Sequence, residues 1–231
     1  MITETPNSGA DIWFVVPAFN EAAVIGDVVK SLAPYGKVIV IDDGSRDQTG
    51  STAEDAGAIL LRHLINRGQG AALQTGLAFA HMNAAKTVIT FDADGQHRIE
   101  DALRMAARLD AEGLDIVLGS RFLGDTENMP FMRRMVLSLA VLFTRATTGL
   151  RVTDAHNGLR AMTGAAAGLI RLRQDRMAHA SELLSEVAKK NLRYAEEPVT
   201  IRYTQYSLAK GQRLSNAFSI LEELFLGLFS R

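Results

Sequence analysis

The chain has no cysteine among its 231 residues. This excludes disulfides, thiolate metal sites and cysteine nucleophiles, and fits a reducing cytoplasm. Neither sign of charge dominates. Lys and Arg number 25 against 26 Asp and Glu, a formal net charge of −1. That balance carries no electrostatic footprint for nucleic acid. No run reaches the ~18 apolar residues that a bilayer span requires. Residues 1–10 lack the basic flank and apolar core of a signal peptide. The expectation is a cytoplasmic protein, either soluble or peripheral at the inner face of the cell membrane. Internal repeats and low-complexity tracts are absent as well.

What the first half does contain is a regular alternation. Apolar, β-branched runs at 11–16, 37–41, 58–62, 86–91 and 115–118 read as strands. Helical patterns at 21–32, 49–56, 70–82 and 99–109 fall between them. Short apolar strands separated by helices imply right-handed crossovers and an α/β fold with a mainly parallel, doubly wound sheet. The second half reads as an apolar helix at 129–144, a loop at 154–160 leading to a short strand, and a helix at 181–190. A strand at 199–203 and an amphipathic helix at 216–229 follow. The expected organisation is a polar tail at 1–10, one domain at 11–205, and a C-terminal loop and helix at 206–231.

The chemistry gathers at strand ends. Asp92 and Asp94 stand one residue apart where an apolar strand runs out into Gly95. Such a pair is a poor core element and a good cradle for a hard cation, and oxygen ligands suit Mg²⁺ or Mn²⁺. Acids do not hold a bare phosphate, so either a metal stands between or the acids bind something else by hydrogen bonds. Asp42 and Asp43 form a second acidic strand end. In open parallel sheets ligands bind beyond the carboxyl ends of the strands. Residues 17–21, 42–45, 92–97 and 119–121 all fall there, which makes one shared site more economical than four unrelated loops.

Five segments occur in order: Pro17-Ala18-Phe19-Asn20-Glu21, Asp42-Asp43-Gly44-Ser45, Asn66-Arg67-Gly68-Gln69-Gly70-Ala71-Ala72, Asp92-Ala93-Asp94-Gly95-Gln96-His97 and Gly119-Ser120-Arg121. Together they resemble family 2 glycosyltransferases of the GT-A fold, a Rossmann-like sheet with helices on both faces. The likeness is to the branch of dolichol- and polyprenol-phosphate mannosyl- and glucosyltransferases, over about residues 11–205. The resemblance implies an inverting transfer of a hexose from GDP-mannose or UDP-glucose to an acceptor, with polyprenyl phosphate first among candidates. It assigns Pro17, Phe19, Glu21, Asp42 or Asp43, Asp92 and Ala93 to the nucleotide. Asp92, Asp94 and Gln96 go to Mg²⁺ or Mn²⁺, with Asp94, Arg121 and Glu182 as the catalytic set. Arg121, Arg202 and Lys210 are assigned to donor or acceptor phosphate.

Each assignment has a plainer counterpart. Asn20 suits a helix N-cap, and His97 a polar turn residue capping the helix at Ile99. Arg67 suits a solvent-facing position at a tight helix start. Arg121 suits a salt bridge to Asp125 or Asp154, and Arg160 a structural role. Glu182 is either a base for a hydroxyl acceptor or a first-turn helix acid; Asp154 and His156 are the other candidate bases. A phosphate monoester needs no base, because its attacking oxygen is already anionic near neutral pH. Thr204 stands where the polyprenol-phosphate branch carries Arg, and Arg202 is the candidate substitute.

The apolar helix near 132–143 has basic ends suited to a lipid interface, against the alternative of core packing. Glu222 and Glu223 on the terminal helix favour docking on the domain, a second subunit or a membrane partner over an anionic bilayer. Two rival functions remain open. Residues 88–95 also fit a haloacid-dehalogenase-type phosphatase motif, though no later Gly-Asp-x-x-x-Asp follows. The other rival is a non-catalytic nucleotide-sugar-binding domain.

Overall fold

The structure is a computed structural model that describes residues 12–124, 131–174 and 179–201. The N-terminal tail, Asp125, Arg202, Thr204, Lys210 and the terminal helix at 216–229 lie outside the described residues.

Among the described residues seven strands form one sheet. They are β1 (Ile12–Ala18), β2 (Lys37–Asp42), β3 (Ile59–Arg62), β4 (Thr87–Thr90), β5 (Ile116–Ser120), β6 (Arg160–Thr163) and β7 (Tyr194–Pro198). The spatial order is β3-β2-β1-β4-β6-β5-β7. Every pairing is parallel except those of β6, which runs antiparallel to both β4 and β5. The expected α/β, mainly parallel sheet is therefore present, with one reversed strand beside the strand that carries the Asp-x-Asp pair.

Alternation along β1 shows why both faces are covered. Trp13 and Val15 enter one apolar cluster, and Ile12, Phe14 and Val16 the other. Successive side chains leave a strand on opposite faces, so an all-apolar strand demands helices on both sides. Helices α1 (Ile25–Leu32), α2 (Thr49–Asp55) and α4 (Ile99–Ala111) cover the Phe14 face. Helices α3 (Gln69–Met82), α6 (Gly164–Leu169) and α7 (His179–Lys189) cover the Trp13 face, joined there by Val141 of α5 (Phe131–Thr148). Along α3 the small residues Gly70, Ala71, Ala72, Gly76 and Ala80 are buried, so the helix lies close on the sheet. A Cβ at Gly76 would stand 2.3 Å from Val15 Cγ1 and 2.7 Å from Ile41 Cδ1.

Several sequence expectations need correction. The first helix begins at Ile25 rather than near residue 21, because residues 22–24 form a turn. Asn20 caps no helix: at φ 54° it accepts the Arg46 N–H on Oδ1 and gives its own N–H to Ser45 Oγ. The last described strand is Tyr194–Pro198, ahead of the one expected at 199–203, of which residues 202 and 203 lie outside the described residues. Its Glu196 and Glu197 hid the pattern, since both carboxylates are used across the sheet edge, by Thr153 and Arg108 respectively. Helix α6 was not anticipated, its six residues being too short and too small to show a period.

α5 packs one side into the core. Leu137, Ala140, Val141 and Thr144 are buried, while Met135, Leu139 and Leu142 are exposed. Among the described residues no helix is long and apolar enough to cross a membrane.

Gly76→Ala should destabilise the fold by about 1–3 kcal/mol through overpacking against β1 and β2. The urea midpoint should fall with an unchanged m-value.

Candidate functional site

The loops after β1 and β2 are zipped together by backbone and side-chain hydrogen bonds. Glu21 N–H donates to Thr49 Oγ1 at 2.7 Å, and Asp43 N–H to Ala18 O at 2.9 Å. Beyond these strand ends lies a cavity of about 380 Å³, lined by Pro17, Ala18, Phe19, Glu21, Asp43, Asn66, Gly68, Gln69, Ala72, Asp92, Ala93 and Asp94. Four of the five sequence segments contribute to this one cavity. Asp43 after β2 and Asp92 after β4 flank β1, so they stand about two strand spacings, roughly 10 Å, apart across the cleft.

The two acids at 42 and 43 separate cleanly. Asp42 is fully buried; its Oδ1 accepts the Ser45 N–H at 2.8 Å, and Oδ2 lies 3.2 Å from Arg62 Nε. It does not line the cavity. Asp43 does, while holding the turn into α3 through the N–H groups of Arg67 (2.9 Å) and Gly68 (2.7 Å).

Asp92 is gripped from several sides. Oδ1 accepts from Gln69 Nε2 at 3.2 Å, and Oδ2 from His97 Nε2 at 2.9 Å. Its carboxylate lies on Gly158, where a Cβ would stand 2.1 Å from Oδ2. The loop is held there by Thr90 Oγ1, which donates to Gly158 O at 2.6 Å. Burial pushes the Asp92 carboxyl up, but the His97 hydrogen bond and the Arg160 guanidinium outweigh it and hold it below the usual range. Asp94 goes the other way. Burial, then the Asp92 charge, push it up to about 6. Two carboxylates with opposed shifts describe a like-charge pair that a cation would relieve. Among the described residues no group of three or more His, Cys, Asp or Glu is placed to hold a metal. Asp92 and Asp94 suit a cation that shares its remaining positions with a ligand's oxygens.

Behind the pair lies a buried polar cluster. Arg160 is 3% exposed, with Nη1 unpartnered, and burial lowers its pKa to about 10, so it stays charged at neutral pH. Arg121 gives Nε to Asp154 Oδ2 at 2.6 Å and Nη2 to His156 O at 2.8 Å. The salt bridge weighed as its plainer use is present, and Arg121 does not line the cavity. Burial pushes His156 down to about 4, which leaves it neutral. Glu182 accepts the N–H groups of Arg173 and Gln174 on Oε2, both at 2.9 Å. That is the bond of a first-turn helix acid bracing the preceding loop. Gln96 gives its N–H to Asp94 Oδ1 at 3.1 Å.

Sequence reasoning undervalued His97, Gly158 and Arg160. His97 does not cap α4, whose N-cap is Arg98 without a side-chain bond. It reaches back to Asp92 and meets Phe91 edge-on at 5.5 Å between ring centres. The spacing of five residues was a usable signal. His63, which bonds Asp43 at 2.7 Å, had none.

Comparison with known proteins follows the same lines. The model of glycosyl transferase family 2 matches residues 13–168. An uncharacterised protein of Methanocaldococcus jannaschii is 39% identical, over 94% of this chain and 91% of that protein. The UDP-N-acetylglucosamine–dolichyl-phosphate N-acetylglucosaminyltransferase of Methanococcus voltae is 32% identical, over 93% of this chain and 95% of its own. Among solved structures, glucosyl-3-phosphoglycerate synthase of Mycobacterium tuberculosis, in complex with Mn²⁺, UDP and phosphoglyceric acid, superposes with a TM-score of 0.68. It covers 94% of this chain and 79% of that one at 21% identity.

The raised Asp94 carboxyl has a stability consequence. A folded-state value of about 6 against 3.8 means the ionised form opposes folding. The cost is absent at pH ~3 and complete above pH ~7. Without metal, Asp94→Asn should raise unfolding free energy at pH 7.5 by roughly 1–2 kcal/mol and bring no gain at pH ~3. Chemical denaturation at the two pH values measures this.

Proposed function

We propose that this chain, which belongs to glycosyl transferase family 2 and is a glycosyltransferase of the GT-A fold, moves a hexose from a nucleoside-diphosphate sugar to a polyprenyl phosphate. The observation that carries the reading is the single cleft lined by Phe19, Glu21, Asp43, Asp92 and Asp94, in which Asp43 and Asp92 stand two strand spacings, roughly 10 Å, apart. A nucleoside covers that span between its base and its diphosphate.

Phe19, 38% exposed, offers its ring to the base, and Asp43 offers a carboxylate to base N–H groups. Asp92 and Asp94, with Gln96 beside them, would hold Mg²⁺ or Mn²⁺. The raised carboxyl of Asp94 fits that role, because a cation removes the repulsion that raised it. A bound divalent ion neutralises charge on the departing diphosphate. Asp92, braced by His97 and Gln69, sets the direction of the pair. In an inverting transfer the acceptor oxygen bonds to the anomeric carbon as the bond to the diphosphate breaks. A phosphate monoester brings its own anionic oxygen, so no side chain need take a proton. The use of Glu182 in bracing residues 173 and 174 agrees with a reaction that needs no base there.

The lipid acceptor is supported by the dolichyl-phosphate relative, which matches over nearly its whole length. A polyprenol monophosphomannose synthase of Mycolicibacterium smegmatis, 30% identical over 64% of this chain and 59% of its own, supports it too. The exposed Met135, Leu139 and Leu142 of α5 give a face suited to peripheral contact with the membrane that holds such a lipid. Arg202 and Lys210 are the proposed phosphate contacts. With Arg121 tied to Asp154, its part is to hold the 154–156 loop beside the site. The phosphatase and non-catalytic readings gain no support from the family match.

Asp94→Ala should lower metal-dependent turnover of nucleotide sugars by at least about a hundredfold, with the far-ultraviolet circular dichroism unchanged. The Mn²⁺-dependent rise in melting temperature with nucleotide should vanish too. Unaltered turnover removes the metal assignment. Glu182→Gln should leave transfer to a polyprenyl phosphate within about threefold of the parent. Abolished transfer in a folded variant would restore Glu182 as a base.

A further inference from the structure

A carboxylate offers about four lone-pair positions for hydrogen bonds. On Asp43 three are filled from within the chain. Oδ1 accepts from His63 Nδ1 at 2.7 Å and from the Arg67 N–H at 2.9 Å; Oδ2 accepts the Gly68 N–H at 2.7 Å. His63 is fixed at its other nitrogen, 3.0 Å from Thr75 Oγ1 on α3. The two backbone donors belong to the turn that launches the same helix. Withdrawing any of them would undo the wall of the cleft. The Asp43 side chain is 4% exposed, yet the residue lines the cavity. Among the described residues no donor takes the fourth position, on Oδ2, and it is available to a ligand.

We infer that the base read by Asp43 is an imide, uracil or thymine, and that the donor is a uridine-type rather than a guanosine-type nucleotide sugar. The inference rests on the reading of this cleft as the nucleotide site. Uracil presents a single N–H at N3, flanked by two carbonyls, and one acceptor satisfies it. Guanine presents N1–H and the N2 amino group side by side, a pair that calls for both oxygens of a carboxylate. With Oδ1 fully occupied, Asp43 can satisfy only one of the two guanine donors, and a donor left unpaired on binding is costly. Cytosine and adenine place a ring-nitrogen lone pair at this edge, against the lone pairs of Asp43. The crowding of one carboxylate by its own turn thus selects the base.

Calorimetric titration of the full chain in Mn²⁺ with UDP, GDP, CDP and N3-methyl-UDP tests this without any variant. UDP should bind about tenfold or more tightly than GDP and CDP, and N3-methylation should cost about tenfold or more. GDP binding as tightly as UDP, or N3-methyl-UDP matching UDP, overturns the base assignment and leaves the nucleotide site standing. Failure of all four to bind defeats the nucleotide reading itself, and the inference with it.

Discussion

The seat of Asp92 on Gly158 organises this molecule's working end. One carboxylate touches the first residue of α3 through Gln69, the turn before α4 through His97, and the loop entering β6 through Gly158. Three segments far apart in the chain are thereby referred to one acid. The contact is possible only because position 158 has no side chain. Arg160 supplies positive charge behind it. Asp92 is thus an anion whose direction is set, and Asp94 beside it bears the repulsion that results.

The antiparallel strand is what brings that charge to the site. Were β6 parallel to β4, its start would lie at the far edge of the sheet, remote from the cleft. Reversed, Arg160 pairs in register with Thr90, two residues before Asp92. The loop at 154–159 then crosses the ends of β4 and β5, where Arg121 and Asp154 tie it down. Glu196 of β7 reinforces the loop by accepting the N–H groups of Thr153 and Asp154. Burial raises the Glu196 carboxyl despite those bonds, a cost borne at the sheet edge to hold the loop in place.

The opposite wall of the cleft is built on the same logic. Asp43 closes the turn from Arg67 to Gly68, and the loops after β1 and β2 share hydrogen bonds through Asn20, Ser45 and Thr49. Polar groups at both ends of the cavity therefore shape the backbone while they line the cavity. Such double use keeps the site ready before anything binds, which spares the ordering cost of binding.

How much was legible beforehand depended on the range of the interaction concerned. Apolar runs spaced by helical patterns determined the parallel sheet, and the Asp-x-Asp, Asp-Asp-Gly and Pro-x-x-Asn-Glu segments marked its ligand edge, because each signal lies within a few residues. Strand and helix limits drifted where turns or paired acids broke the period, as before α1 and along β7. Only the tertiary structure decided that Asp43 rather than Asp42 faces the cleft, that His97 grips Asp92 instead of capping a helix, and that Arg121 is bound to Asp154. Those outcomes depend on contacts between residues 20 to 68 positions apart, such as His63 with Asp43 and Gly158 with Thr90, or on how a turn aims one side chain. Local pattern holds no information about either, since it is the packing of distant segments that settles which of two adjacent carboxylates is sealed from the cavity and which lines it.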